Sequence, residues 1–254
     1  IKHKIISPKT PKINNKPIVI KKNKDVIYKL KTYANKGFSP SSLTNYMRNP
    51  VDFYFEKILD VKNTEEVEET VAANTLGTVV HNSLEDFYKP FENKFLQIED
   101  IKKMKSLIDI TITKHFTKEY KQGDITSGKN LIIFEIAKRY IVNFLNSEIE
   151  LLKKGNTLKI VAIEVDNTVA IDIPELDFSI NLTGKVDRVD ELNGVTRIID
   201  YKSGKVEQGN MEIVDWDLLN TNYKKYSKSF QVLCYAYMMK KQNLINLPVE
   251  AGII

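Results

Sequence analysis

Two aspartates, Asp187 and Asp200, stand on either side of an Asn193-Gly194 pair, and a lysine, Lys202, follows the second of them. Asn-Gly between two alternating apolar/polar runs predicts a β-hairpin with a type I′ turn. With those two residues as the loop, opposed residues have numbers summing to 387, so Asp187 faces Asp200 and Lys185 faces Lys202. Lys202 also shares a strand face with Asp200. Opposed Cβ atoms stand roughly 4.5–5.5 Å apart, close enough for one hard divalent cation to bridge both carboxylates. Without such a partner, two carboxylates at that distance repel and resist ionisation together.

An ordinary solvated hairpin is the competing reading, because residues 184–191, GKVDRVDE, are rich in charge. Against it, Asp200 follows Ile198-Ile199 at the end of a strand expected to be central. A carboxylate there is expensive unless paired or metal-bound.

Gly184-Lys185-Val186-Asp187-Arg188, then Ile199-Asp200-Tyr201-Lys202-Ser203-Gly204-Lys205, then Gln231 and Tyr235, together resemble the PD-(D/E)XK nuclease superfamily. The RecB/AddB-type nuclease domains of bacterial helicase–nucleases are the branch they resemble most. An Asp-x-Lys tripeptide alone is a weak signal; the ordered set, spread over residues 38–254, is the specific one. The resemblance implies an α/β fold with a restriction-endonuclease-like core: helix, three-stranded meander, helix, strand, with a helical insertion. It implies that Asp187, Asp200 and Lys202 are catalytic. Asp187 and Asp200 would hold Mg²⁺ or Mn²⁺ with His81 and the carbonyl of Tyr201, while Lys202 contacts the scissile phosphate or the attacking water. Gln231 and Tyr235 would help to hold DNA. The implied activity is that of a metal-dependent deoxyribonuclease, an exonuclease of DNA repair or recombination. DNA and a helicase partner, as a subunit or a domain, would be what it works with, and the bacterial cytoplasm its place. A catalytically inactive DNA-binding or scaffolding module is the alternative from another class; the intact Asp187, Asp200 and Lys202 argue against it.

The elements that must position these residues follow from periodicity. Residues 72–90 predict a helix ended by Pro90, with His81 and Glu85 on one face. By itself His81 reads as a surface or core histidine, and only the resemblance makes it a ligand. Glu85 reads either as its orienting partner or as a solvated acid. Strand character starts at Leu158 and runs through 165 to 170–173, with Asn167 near the turn. Glu164 sits inside that run, either beside the metal or at a solvated edge. Residues 178–190 and 195–202 complete a three-stranded meander. A long, partly irregular connection over 203–228 carries Lys205, Lys224, Lys225 and Lys228 with Tyr223 and Tyr226. That mixture suits a nucleic-acid surface, and equally a solvated loop. The helix after it presents Phe230, Leu233, Cys234, Tyr237 and Met238 for packing, and Ala251-Gly252-Ile253-Ile254 begins a last strand.

Residues 96–154 predict two or three helices forming a cap. The loop Gly123–Lys129 between them has the glycine and lysine positions of a phosphate-binding loop. It lacks the following Ser or Thr and any strand leading in, so it reads as an interhelical connection. Ser39-Pro40 starts another helix, Ser as cap and Pro in the first turn. The formal charge of +5 is uneven: residues 1–36 hold eleven Lys and one Asp, and 1–37 read as a loosely attached basic arm, with a short helix near 24–35, that suits a polyanionic partner. Glu65, Glu66, Glu68 and Glu69 read as a solvated connection. The single cysteine, Cys234, excludes an internal disulfide. Relatives with an iron–sulfur cluster carry a cysteine where this chain has Asn49, so no iron–sulfur cluster is expected. No apolar run approaches membrane-spanning length and no secretory signal is visible, so no membrane association is expected.

Overall fold

The computed structural model describes residues 18–61, 73–120 and 124–254. Its first half is helical: α1 (Lys24–Lys36), α2 (Pro40–Arg48), α3 (Pro50–Phe53) with a π-helical turn to Ile58, and α4 (Ala73–Tyr88). A two-residue strand β1 (Lys94–Phe95) precedes three cap helices, α5 (Ile98–Ser106), α6 (Ile108–Glu119) and α7 (Gly128–Lys153). The meander follows as β2 (Leu158–Ile171), β3 (Ile180–Leu192) and β4 (Val195–Asp200), then α8 (Tyr223–Lys241) and β5 (Val249–Ile253). The sheet order is β1-β2-β3-β4-β5, antiparallel except that β4 and β5 run parallel across the α8 connection.

The hairpin forms at Asn193-Gly194. Both turn residues have positive φ, 51° and 83°, as a type I′ turn requires. The β3–β4 register runs from Leu192↔Val195 to Arg188↔Ile199, the expected sum throughout. The ladder then ends: β4 stops at Asp200, and the Lys202 amide turns to the Ile254 carbonyl at 2.9 Å. Lys185 therefore opposes Asp166 of β2 rather than Lys202.

Three further expectations change. Residue 167 makes no turn: Asn167 is buried in the middle of β2, opposite Gly184. α8 starts at Tyr223, where Asn222 caps the Lys225 amide, so Lys224, Lys225 and Lys228 lie on its first turns and not in a loop. Its packing side is Tyr226, Ser229, Val232, Tyr235, Met238 and Met239, while Tyr237 faces out. Within the basic segment 1–37, the short helix expected near 24–35 is α1, and it packs on the body. α1 buries Val26 and Ala34, Tyr33 packs edge-on to Phe38 and Phe53, and Asn181 donates to the Asn35 carbonyl. Its first seventeen residues, the acidic stretch 65–69 and Gly123 lie outside the described residues.

Two apolar layers clamp the sheet. On one side α4 and the cap helices pack on Leu158, Ile160, Ile163, Ile199 and Tyr201. On the other, Tyr235, Met238 and Met239 of α8 pack on Val169, Leu182, Val186, Val189 and Ile198. With both faces covered, β3 is buried from Val186 through Asp190, so its charges are interior. Gly184 lets α8 approach that closely: a Cβ there would stand 2.8 Å from Met238 Cε and 2.9 Å from Tyr235 Cε1. Gly184→Ala is expected to destabilise the protein by about 1–3 kcal/mol through overpacking, read as a lower denaturant midpoint at unchanged slope. No loss would mean that α8 yields freely.

Candidate metal and phosphate site

α4 delivers His81 to the sheet from the cap side. Its Nε2 lies 3.0 Å from Asp187 Oδ1 on β3 and 3.1 Å from Glu164 Oε1 on β2. Donor atoms of these three residues all fall within 4.8 Å of one another. Burial by itself would lower the His81 pKa, but hydrogen bonds to the two carboxylates raise it to about 10. The imidazolium is thus a cation between two acids whose side chains are largely buried. The other oxygen of Asp187 accepts the Tyr201 amide at 2.7 Å, which ties β3 to the end of β4.

Glu164 reaches this cluster through a backbone irregularity. Its φ is 58°, and β2 carries a register shift between Ile160 and Ala162. Ile163 packs in the cap-side core and Val165 in the α8-side core, so alternation slips at Glu164. Side chains take over the Ile163 backbone: Lys89 donates to its carbonyl at 2.9 Å, and Glu92 accepts from its amide at 2.8 Å. Bulges of this kind re-aim a side chain. Glu164 also pairs with Lys185, and its two cationic partners outweigh burial to hold its pKa below the ordinary glutamate value.

Asp200 lies beside this cluster without joining its 4.8 Å group. One oxygen pairs with the Lys202 ammonium and the other accepts from Gln231 at 3.1 Å. Burial raises its pKa, Lys202 opposes that, and the charge of Asp187 adds to it. Gln231 donates to the Tyr235 hydroxyl as well, at 2.7 Å. Tyr235 is only 5% exposed and braces Gln231 from the core side. Lys202 keeps a third of its side chain exposed and faces both the aspartate and the cleft.

The remaining candidates spread outward. Glu85 is half-buried and its charge acts on Lys185, outside the acid cluster. Lys205 is 84% exposed and paired with Glu207, and its carbonyl accepts from Lys228. Lys225 lies over the ring of Tyr226, which is buried and offers no stacking surface. Lys224 is exposed. The Asn49 side chain caps α3, accepting from the amides of Val51 and Asp52. Cys234 is partly buried, and burial pushes its thiol up to about 12.

A family model of the PD-(D/E)XK nuclease superfamily matches residues 37–253. The chain belongs to this superfamily. Its mixed five-stranded sheet between helical layers is the restriction-endonuclease-like arrangement. Among its relatives is an ATP-dependent helicase/deoxyribonuclease component of Clostridium perfringens, 30% identical over 181 residues, which covers 66% of this chain and 15% of that protein. Two uncharacterized proteins, of Rickettsia felis and Rickettsia typhi, are 26% and 27% identical over 66% and 69% of this chain, and 19% and 21% of their own lengths. The chain thus spans about a fifth or less of these relatives.

A second cluster in this superfamily member went unseen in the sequence. Arg188, fully buried next to Asp187, places Nη2 2.7 Å from both Glu148 of α7 and Asp190. Asp190 also accepts from Nε and Nη2 of Arg197, at 2.7 and 2.9 Å. Tyr88 donates to Glu148, and its ring stacks 4.5 Å from the Arg188 guanidinium. The Tyr201 hydroxyl sits 3.5 Å from Arg188. This network bolts α4 and α7 to the strand that carries Asp187. Nothing in the spacing of Glu148, forty residues upstream of Arg188, signalled it. Among the described residues, no helix is long and apolar enough to cross a membrane.

Proposed function

We propose that this chain is a Mg²⁺- or Mn²⁺-dependent nuclease domain that hydrolyses DNA phosphodiester bonds. The observation that carries the reading is the convergence of His81, Glu164 and Asp187 beside the Asp200–Lys202 pair. Two carboxylates and one imidazole form a hard donor set with one nitrogen, which fits either ion and favours Mn²⁺. His81, Glu164 and Asp187 would hold the ion, with Asp200 and the Tyr201 carbonyl at its edge. When bound, the ion polarises a nonbridging phosphate oxygen and lowers the pKa of the attacking water. Lys202 stabilises the negative charge that grows on the phosphoryl oxygens. Gln231, itself braced by Tyr235, holds Asp200 in place. Lys205, Lys224, Lys225 and Lys228 contribute salt-dependent phosphate attraction with little base discrimination. The name of the Clostridium perfringens relative supports DNA as substrate and a helicase as partner, within a larger repair or recombination assembly. Exonucleolytic cleavage is the finer form of the same proposal.

The basic test is cleavage of labelled DNA with Mg²⁺, with Mn²⁺ and with excess chelator. Cleavage restricted to the metal-containing reactions is expected, and equal cleavage in chelator would overturn the reading. A second test uses the proton on His81. A metal-bound imidazole is neutral, whereas the free site keeps its proton up to a pKa of about 10. Metal binding at pH 7.5 should therefore release about one proton, and affinity should rise roughly tenfold per pH unit below that pKa. Calorimetry in buffers of different ionisation enthalpy measures the release, which His81→Gln should remove. Zero release in the wild type would mean that His81 is already neutral in the free site or does not bind the ion; a His81→Gln affinity equal to wild type would then exclude it as a ligand.

A further inference from the structure

A cleft of about 530 Å³ opens beside the acid cluster, sharing His81 with it and Lys202 with the adjoining Asp200. Its volume lies within the roughly 300–1,000 Å³ usual for small-ligand sites. The inner wall is apolar, made by Val80, Leu84 and Ile141, each at most 8% exposed, and by the buried Tyr201. Phe144 is fixed in the wall by edge-on contacts with Tyr88 and Tyr201. Tyr140, one turn earlier on α7, is 43% exposed at the rim, and among the described residues the rings that lock Phe144 are Tyr88 and Tyr201, not Tyr140. Asn143 and Ser147, both exposed, add hydrogen-bonding groups along the same helix, and Lys202 and Lys205 close the opposite lip. Aromatic faces, amide and hydroxyl edges, and cations at the mouth match the parts of a nucleotide in order: base inside, phosphate outside.

Resting on the nuclease reading above, we infer that this cleft receives the base of an unpaired nucleotide adjoining the scissile phosphate, with Tyr140 and Phe144 as its stacking surfaces. A base in a duplex is stacked and paired, and reaches such a cleft only after leaving the helix, a step that costs less in a single strand. Stacking is tolerant of sequence, since every base has a π-face. The cleft therefore selects strand state more than base identity. It makes the cap helix α7, and not only the hairpin, part of the substrate-binding surface.

Two readouts test this. In chelator, where no cleavage occurs, a single-stranded oligodeoxynucleotide carrying 2-aminopurine should lose fluorescence on binding wild-type protein. The loss should be much weaker with Tyr140→Ala and retained with Tyr140→Phe. With metal, single-stranded DNA should be cut faster than blunt duplex, and Tyr140→Ala should lower kcat/KM on the single strand roughly five- to a hundredfold. One abasic position scanned along the strand should slow the wild type by a similar factor at a single distance from the cut, without slowing Tyr140→Ala further. Quenching and cleavage both indifferent to Tyr140, or abasic strands cut at full rate at every position, would overturn the base site. Quenching through Tyr140 without any metal-dependent cleavage would keep the base site and reject the nuclease reading. Metal-dependent cleavage with equal rates on duplex and single strand would do the reverse.

Discussion

Replacing Lys202 with alanine is expected to lower metal-dependent DNA cleavage about a hundred- to a thousandfold while leaving DNA binding within a few fold. A preorganised contact to charge that develops only in the transition state contributes roughly 2.7–4 kcal/mol, whereas one lysine among several on a phosphate track contributes a salt-dependent fraction. Lys202 is positioned for the first role: its ammonium is held by Asp200 and still faces the cleft. Lys205, 84% exposed and engaged with Glu207, is the contrasting case: its alanine variant should lose only the few-fold, salt-dependent share of one phosphate contact. The Lys202 variant carries a second signature. Asp200 is already pushed toward protonation by burial and relieved by Lys202. Without the ammonium its pKa rises further, so the acid limb of the pH–rate profile should move to higher pH. Asp200→Asn should lower cleavage as severely, with no such limb to recover. Both are measured at one ionic strength with binding followed in parallel. Wild type and variants cleaving at the same slow rate while all bind DNA would mean a contaminating activity and a non-catalytic binding module.

The hairpin is legible because its information is local. Asn193-Gly194 sets the turn, the turn sets the register, and the register carries Arg188 opposite Ile199. The helix presenting His81 and the strand after α8 follow from periodicity and from Pro90 in the same way. What the sequence conceals depends on contacts between distant segments. Glu164 looks as much like an edge residue as a site residue, because strict alternation does not contain the slip at φ 58° that turns it toward His81. The site therefore gathers on His81, Glu164 and Asp187, not on an opposed Asp187–Asp200 pair alone. Lys185 reaches Glu164 instead of Lys202, since β4 ends two residues before that pairing. The charges of GKVDRVDE suggest solvent; a sheet covered on both faces makes Arg188 and Asp190 interior, and Glu148 and Arg197 compensate them. Tyr226 looks like a surface aromatic as long as the start of α8 is hidden, because without that start the buried side of the helix is undefined.

Removing one partner from that interior network is expected to produce the largest loss of stability. Arg188→Met replaces a buried guanidinium by an apolar chain of similar length. Among the described residues, it leaves Glu148 with the Tyr88 hydroxyl and Asp190 with Arg197. Breaking a buried ion pair from one side costs about 3–5 kcal/mol, because a desolvated charge remains uncompensated. For a domain of this size that lowers Tm by roughly 6–20 °C. Neither Nη2 contact is aligned as a hydrogen bond, and Nε has no acceptor among the described residues, so the guanidinium acts here chiefly as a buried charge and as the ring partner of Tyr88. The double variant Arg188→Met/Glu148→Leu should then recover a substantial part of the loss, since it removes the stranded carboxylate together with its partner. Additive losses in that cycle would show that packing against Tyr88 and Phe144, not charge pairing, is what Arg188 supplies. A loss below about 1 kcal/mol for the single variant would show that the network contributes little to holding α4 and α7 on the sheet. His81 reaches Asp187 only while α4 stays docked, so at temperatures where Arg188→Met remains folded its metal affinity should still match wild type. A weakened affinity there would mean that Arg188 also positions Asp187, one residue away on β3.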